Sequence, residues 1–225
     1  MEPPPRPEIG AVRLHEIYSR TAAFYDSVVA EHQAAAKEVA ISLLARRPGE
    51  RFLEVGVGTA WCFRRIVAAS GAASAYGLDA APGMIDVARE ILRAAALPLT
   101  GLVLGDAARL PFLDAAFDCL LCTYTLEVVD EPVALVLLSE MRRVLRPGGR
   151  LLVADLTPGE GDDVSITDDW RRGFETDPEF FGGARPVSLP PLLQQSGFAV
   201  RERRYSGHGA GWPSEIVLAT PRQSF

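Results

Sequence analysis

The residues best suited to chemistry in this sequence hold a ligand rather than attack one. In Arg51-Phe52-Leu53-Glu54-Val55-Gly56-Val57-Gly58-Thr59, two glycines one residue apart follow a short apolar run directly. Glycine reaches positive φ and carries no side chain, so Gly56 and Gly58 let the backbone turn sharply against a bound molecule. Asp79 lies about 20 residues beyond that turn, where an acidic residue at a strand end can accept both hydroxyls of a ribose. Asp106 can accept a hydrogen bond from an exocyclic amine such as that of adenine. Taken singly, each carboxylate also suits a helix cap or a turn. Together with Glu54, at the ends of successive strands, they form an edge that binds adenosine.

Those positions are gathered only if the flanking segments alternate between strand and helix, and the pattern predicts that they do. Residues 51–55 read as a strand and 60–70 as a helix, followed by a strand at 74–78 ending at Asp79. Pro82 suits the first turn of the next helix, where its missing N–H does no harm. Met84, Ile85, Ala88, Ile91 and Leu92 form that helix's apolar stripe. Strands follow at 101–104 and 117–123, then a helix from Glu131 to Arg146 capped by Asp130, and a strand at 150–156 after Pro147-Gly148-Gly149. This order implies a mainly parallel, doubly wound α/β sheet with helices on both faces, whose strand-end loops share one crevice. That crevice collects Glu54, Gly56, Val57, Gly58, Asp79, Asp106 and the segment Tyr124 to Glu127.

Outside this core, residues 1–10 read as a proline-rich arm and 12–46 as two helices that precede and cap the sheet. Tyr18 and Tyr25 lie in the cap, suited either to packing or to a lid over a cofactor. Residues 157–186 are polar, acidic and aromatic, and read as a long irregular lid or binding loop. A short helix at 189–196 and a strand pair at 198–205 and 215–219 close the fold. The expected organisation is an arm and helical cap at 1–48, then a cofactor domain at 49–225 with a lid insertion at about 157–190.

The composition narrows the partners. The chain has 225 residues, 48% hydrophobic and 23% charged, which suits a globular domain. Its net charge of −6 argues against a broad nucleic-acid footprint. No run approaches the ~18 apolar residues of a membrane span, and the N-terminus lacks the order of a signal peptide, so the cytoplasm is the expected location. Cys119 and Cys122 have C-x-x-C spacing, but in a strand residues three apart face opposite ways and cannot chelate one ion. With Cys62 they read as buried thiols, and no metal site is expected.

Two cofactor classes compete for the edge. A dinucleotide site wants a third glycine for close helix packing around a pyrophosphate. Trp61 stands there instead, which argues against NAD and leaves a cofactor without phosphates.

At this point the sequence resembles the class I S-adenosylmethionine-dependent methyltransferases, over essentially its whole length. Leu53 to Thr59 looks like their first motif, Gly77-Leu78-Asp79-Ala80-Ala81-Pro82-Gly83-Met84-Ile85 like the second, and Gly105-Asp106-Ala107-Ala108-Arg109-Leu110-Pro111-Phe112 like the third. Phe117-Asp118 and Arg143-Val144-Leu145-Arg146-Pro147-Gly148-Gly149 match later landmarks, and the branch it most resembles includes ubiquinone and menaquinone C-methyltransferases. One departure is Ala60, where these proteins usually carry a further glycine.

The resemblance implies a Rossmann-like fold with a seven-stranded, mostly parallel sheet and an N-terminal helical cap. It implies S-adenosyl-L-methionine as cofactor and a small-molecule or lipid-like methyl acceptor. Gly56, Val57 and Gly58 would lie against the methionyl and ribose parts, and Asp79 would hold the ribose hydroxyls. Ala80 and Met84 would border the adenosine, and Asp106 and Ala107 the adenine edge. Tyr124 would border the sulfonium, with Tyr18 and Tyr25 closing the pocket. No base is assigned; His15, Glu127, Asp130 and His208 are the candidates. An inert, cofactor-binding relative is the alternative, against which the complete binding edge speaks.

Overall fold

The computed structural model describes residues 9–99 and 101–222, with His208 described by its backbone only; the residues before 9, most of the expected arm, lie outside it. Seven strands form one sheet in the order β3-β2-β1-β4-β5-β7-β6. They are β1 (Phe52–Val55), β2 (Ala75–Asp79), β3 (Leu102–Leu104), β4 (Phe117–Thr123), β5 (Leu145–Leu156), β6 (Phe198–Ser206) and β7 (Ser214–Pro221). The first five pair in parallel, and β7 runs antiparallel between β5 and β6. The strand order reverses between β1 and β4, which opens a crevice at their carboxyl ends. Among the described residues, no helix is long and apolar enough to cross a membrane.

The helices are α1 (Ala11–Leu44), α2 (Trp61–Ser70), α3 (Pro82–Ala94), α4 (Glu131–Val144), α5 (Asp163–Thr176) and α6 (Leu189–Gln195). Strand alternation divides the core in two. Leu53, Val55, Leu120, Cys122, Leu151 and Val153 pack against α4 and α6. Phe52, Cys119, Leu121, Leu152 and Ala154 pack on the other face, against α1, α2 and α3. Full burial of each such leucine contributes about 1.5–3 kcal/mol. Cys119 and Cys122 therefore sit in different cores, and all three cysteines are buried, free thiols.

Three expectations need correction. Residues 12–46 are one helix rather than two: no glycine or proline interrupts 11–44, so nothing ends the first half. The helix stops at Ala45, in a left-handed conformation at φ 45°, just before Pro48-Gly49. Residues 157–186 are not irregular throughout, because α5 occupies their middle. Its buried stripe is Asp163, Thr167 and Phe174, too polar to announce a helix, and its outer face carries Arg171–Asp168 and Arg172–Asp169 pairs. Finally, β5 begins at Leu145, so Pro147 to Gly149 lie within the strand, where the register with β4 shifts.

One end of α1 packs into the sheet through Ala36, Ala40 and Leu44, while the other overlies the crevice. The segment after α5 is fastened to this outer half. Arg13 holds Glu179 at 2.8 and 2.6 Å, and the Tyr18 hydroxyl donates to the Gly182 carbonyl at 3.0 Å. Farther along α1, His32 stacks on Trp212 with ring centres 5.1 Å apart, and Trp170 stands edge-on to Trp212 and Phe181.

Against α3, α1 comes unusually near: a Cβ added at Gly83 falls 2.4 Å from the Ser19 carbonyl oxygen. Alanine's better helix propensity, about 1 kcal/mol, offsets only part of the 1–3 kcal/mol that overpacking against backbone costs. Gly83→Ala is therefore expected to lower the urea midpoint and to speed proteolysis in the first half of α1. An unchanged midpoint would show that α1 does not seat on Gly83.

Candidate active site

The turn after β1 is held by the neighbouring strand. The N–H groups of Gly56 and Val57 both donate to the Leu78 carbonyl, at 2.8 and 2.9 Å. Gly56 has φ 72°, and a Cβ there would fall 2.1 Å from Thr125 Oγ1, so both conformation and space demand glycine. Gly58, at φ 51°, has open space where a side chain would be, which leaves its backbone accessible to a ligand. Ala60 also takes a left-handed conformation, φ 65°, just before α2. An L-residue there costs about 1–2 kcal/mol, and the alanine methyl, fully buried in the core beside Trp61 and Cys62, offsets part of it.

Asp79 closes the turn from the end of β2. Its Oδ2 accepts from Gly58 N–H at 2.8 Å and its Oδ1 from Ala81 N–H at 2.9 Å. Burial raises its pKa, and those two N–H groups oppose the rise. Asp106, exposed after β3, accepts from Ala108 N–H at 2.8 Å. Thr59 donates to Asp26 of α1 at 2.8 Å, which ties the helix to the glycine turn.

Tyr124 leaves β4 at φ 53°, an outlier for a bulky residue, kept in place by its N–H to Ala154 O (2.7 Å) and its hydroxyl against Ser214 Oγ (2.8 Å). Tyr18 and Tyr25, 5.9 Å apart between ring centres, pack with Ala81 and Met84.

These pieces enclose one cavity with about 1090 Å³ of empty space, its solvent-filled mouth included. Every residue named from the sequence as a cofactor contact lines it: Tyr18, Tyr25, Glu54, Gly56, Val57, Gly58, Asp79, Ala80, Met84, Asp106, Ala107 and Tyr124. Trp61, placed from sequence at the missing third glycine, is on the wall as well, beside Cys62. Sequence reasoning missed Lys37, Thr123 and the apolar group Val128, Val129 and Val133. Lys37 carried one signal: a lysine between Ala36 and Ala40 on the buried stripe of α1.

The base candidates separate. His15 lines the cavity, Asp130 caps α4 through Val133 N–H, and the side chain of His208 lies outside the described residues. Glu127 is buried behind the cavity, where it accepts from Leu156 N–H at 2.5 Å. Asp155, also buried, accepts from Thr125 N–H at 2.8 Å through Oδ1, while its Oδ2 has no partner. Burial holds both above the ordinary range, Glu127 at about 7 against the pull of Leu156 N–H and Lys37, and for Asp155 the nearby Glu127 adds to the rise. Glu54, buried on the cavity wall with Oε2 unpartnered, is pushed up by burial to about 8, against the pull of Lys37. Among the described residues no cluster of His, Cys, Asp or Glu could hold a metal ion.

A family profile described as a methyltransferase domain matches residues 52–149, the stretch from β1 into the first part of β5. Over that stretch the chain carries a methyltransferase domain. A demethylmenaquinone methyltransferase of Bacillus mycoides is 32% identical to it over 146 residues, 62% of this chain and 60% of that protein. A malonyl-[acyl-carrier protein] O-methyltransferase of Serratia marcescens is 37% identical over 145 residues, 63% of this chain and 52% of that protein. The chain spans less than two thirds of the length of these curated relatives. In fold, the methyltransferase domain and its flanking elements match the [4+2]-cyclase SpnF with a TM-score of 0.74 at 20% identity, over 97% of this chain and 99% of that one.

The methyltransferase domain fits its cofactor class on observations of its own. An unpartnered buried carboxylate oxygen of Glu54, an open face at Gly58 and strand-end acids at Asp79 and Asp106 surround one cavity.

The buried carboxyls also set a pH dependence. Their pKa values are higher folded than unfolded, so the unfolded chain releases protons first as pH rises. Stability from this source is full below about 4.5, falls as pH climbs toward the folded value near 7 for Glu127, and stays lost above it. Glu127→Gln should keep an acceptor for Leu156 N–H and flatten that decline, gaining on the order of 1–3 kcal/mol at pH 8 relative to pH 5. Urea melts across this range that show equal slopes for both proteins would contradict the assignment.

Proposed function

We propose that this chain transfers a methyl group from S-adenosylmethionine to a small, partly apolar acceptor. The observation that carries the reading is the cavity itself, in which one strand end after another supplies a group suited to one part of adenosylmethionine. Asp79 accepts from the ribose hydroxyls, and Asp106 with Ala107 meets the adenine edge, with Val128, Val129 and Val133 as apolar walls. Glu54, through its unpartnered Oε2, accepts from the ammonium of the amino-acid end.

The bound cofactor supplies an electrophilic methyl group on a sulfonium. What the protein adds is position. Tyr124, fixed by Ser214 and the end of β5, borders the reacting region, and residues of α1 line the cavity across from the strand ends. Holding acceptor and methyl at near-attack distance can lower the barrier by on the order of 7–11 kcal/mol in the best cases. His15 is the imidazole on the cavity wall and can take a proton where the acceptor must lose one.

The outer half of α1 and residues 157–190 form the acceptor side in this reading. Support comes from the aromatic group Trp170, Phe181 and Trp212 beside α1, and from the acceptors named for the relatives, demethylmenaquinone and malonyl-[acyl-carrier protein]. Because a cyclase shares the fold, binding alone does not establish transfer.

Two measurements test the reading. Asp79→Ala should weaken S-adenosylhomocysteine binding about tenfold to a hundredfold by calorimetry, the loss of a charged acceptor worth ~1.5–3 kcal/mol, with unchanged circular dichroism. Equal affinity would remove Asp79 from the site. Methyl-labelled cofactor incubated with quinone and carboxylic-acid acceptors should yield a labelled small molecule. Tight cofactor binding without label in any fraction, extracts included, would favour a non-transferring protein.

A further inference from the structure

Lys37 is a buried cation that feels the carboxyls of Glu54 and Glu127 yet makes no hydrogen bond or ion pair with either. It sits on the inward stripe of α1, one turn from Gln33, and is only 8% exposed. Its Nζ lies 5.6 Å from the centre of the Trp61 ring and 5.4 Å from that of Tyr124. No ion pair joins it to a carboxylate among the described residues. Contacts with ring faces are worth about 0.5–2 kcal/mol against a desolvation cost of several, and no carboxylate among the described residues closes on the ammonium to make up the rest. Lys37 also lines the cavity, on the same side of the sheet as Glu54, and Trp61 beneath it is the first residue of α2.

The wall thus presents a donor and an acceptor near each other: Lys37 from the cap helix, and Glu54, whose Oε2 has no partner, from β1. A ligand end carrying an ammonium and a carboxylate on one carbon satisfies both at once. The α2 N-terminus under Trp61 adds its partial positive charge to the carboxylate half.

We infer that Lys37 anchors the carboxylate of the cofactor's amino-acid end, so that the cap helix is itself part of the cofactor site. The inference rests on the cofactor reading above and deepens it. It makes Lys37 a binding residue contributed from outside the segment that the methyltransferase-domain profile covers, residues 52–149.

The test compares S-adenosylhomocysteine with its decarboxylated analogue, which keeps the amine and the nucleoside. The wild-type chain should prefer the intact ligand by roughly tenfold to a hundredfold, the scale of one charge-assisted contact. Lys37→Met, close in length and apolar, should bind both equally and as weakly as the wild type binds the analogue. Lys37→Arg, which keeps the charge, should keep most of the preference. If Lys37→Met retains the preference, or weakens both ligands by the same factor, the lysine supports the cap and does not meet the carboxylate. If the wild-type chain binds neither ligand, the cofactor reading falls, and this inference with it.

Discussion

The structure depends on a constraint at the end of β1: the chain must turn with positive φ at Gly56, Gly58 and Ala60 while the strand beside it holds the turn's N–H groups. Gly56 and Val57 are tied to Leu78, and Gly58 to Asp79, so β2 fixes the turn before any ligand arrives. Thr125, from the loop after β4, fills the space a side chain at Gly56 would take. Three strand ends are thereby locked to one another, and the cavity is the volume they leave. Preorganisation of this kind matters because binding energy is not then spent on ordering the loop.

The second determinant is α1. Its inner half is core, through Ala36, Ala40 and Leu44; its outer half is a roof, through His15, Tyr18 and Tyr25. One helix without a break transmits the sheet's rigidity to the roof. Asp26 bound to Thr59 and Gly83 pressed on Ser19 hold it down, while Arg13 and Tyr18 fasten the segment after α5 to its upper surface. The same helix therefore lines the cavity and carries the segment after α5.

Much of this was legible in the sequence, because the informative signals were local. A glycine pair after an apolar run, an acid about 20 residues on, and further acids at strand ends each declare their geometry within a few residues. Fold class, a mainly parallel sheet with helices on both faces, follows from strand–helix alternation in the same way. What escaped notice depended on tertiary context. Lys37 looks like any lysine interrupting an apolar stripe until α2 and β4 place Trp61 and Tyr124 beneath it. Helix α5 buries Asp163 and Thr167 in place of aliphatics, so no hydrophobic period reveals it. Val128, Val129 and Val133 flank the start of α4, and only the return of β4 beside β1 brings them to the cavity.

The most direct measurement is a crystal structure of the chain with S-adenosylhomocysteine. The account predicts the ribose hydroxyls on Asp79, the adenine beside Asp106 and Ala107, and the amino-acid end between Glu54 and Lys37, under an α1 that has not moved from Gly83. Ligand density elsewhere, or a nucleoside running in the opposite direction along the strand ends, would contradict it.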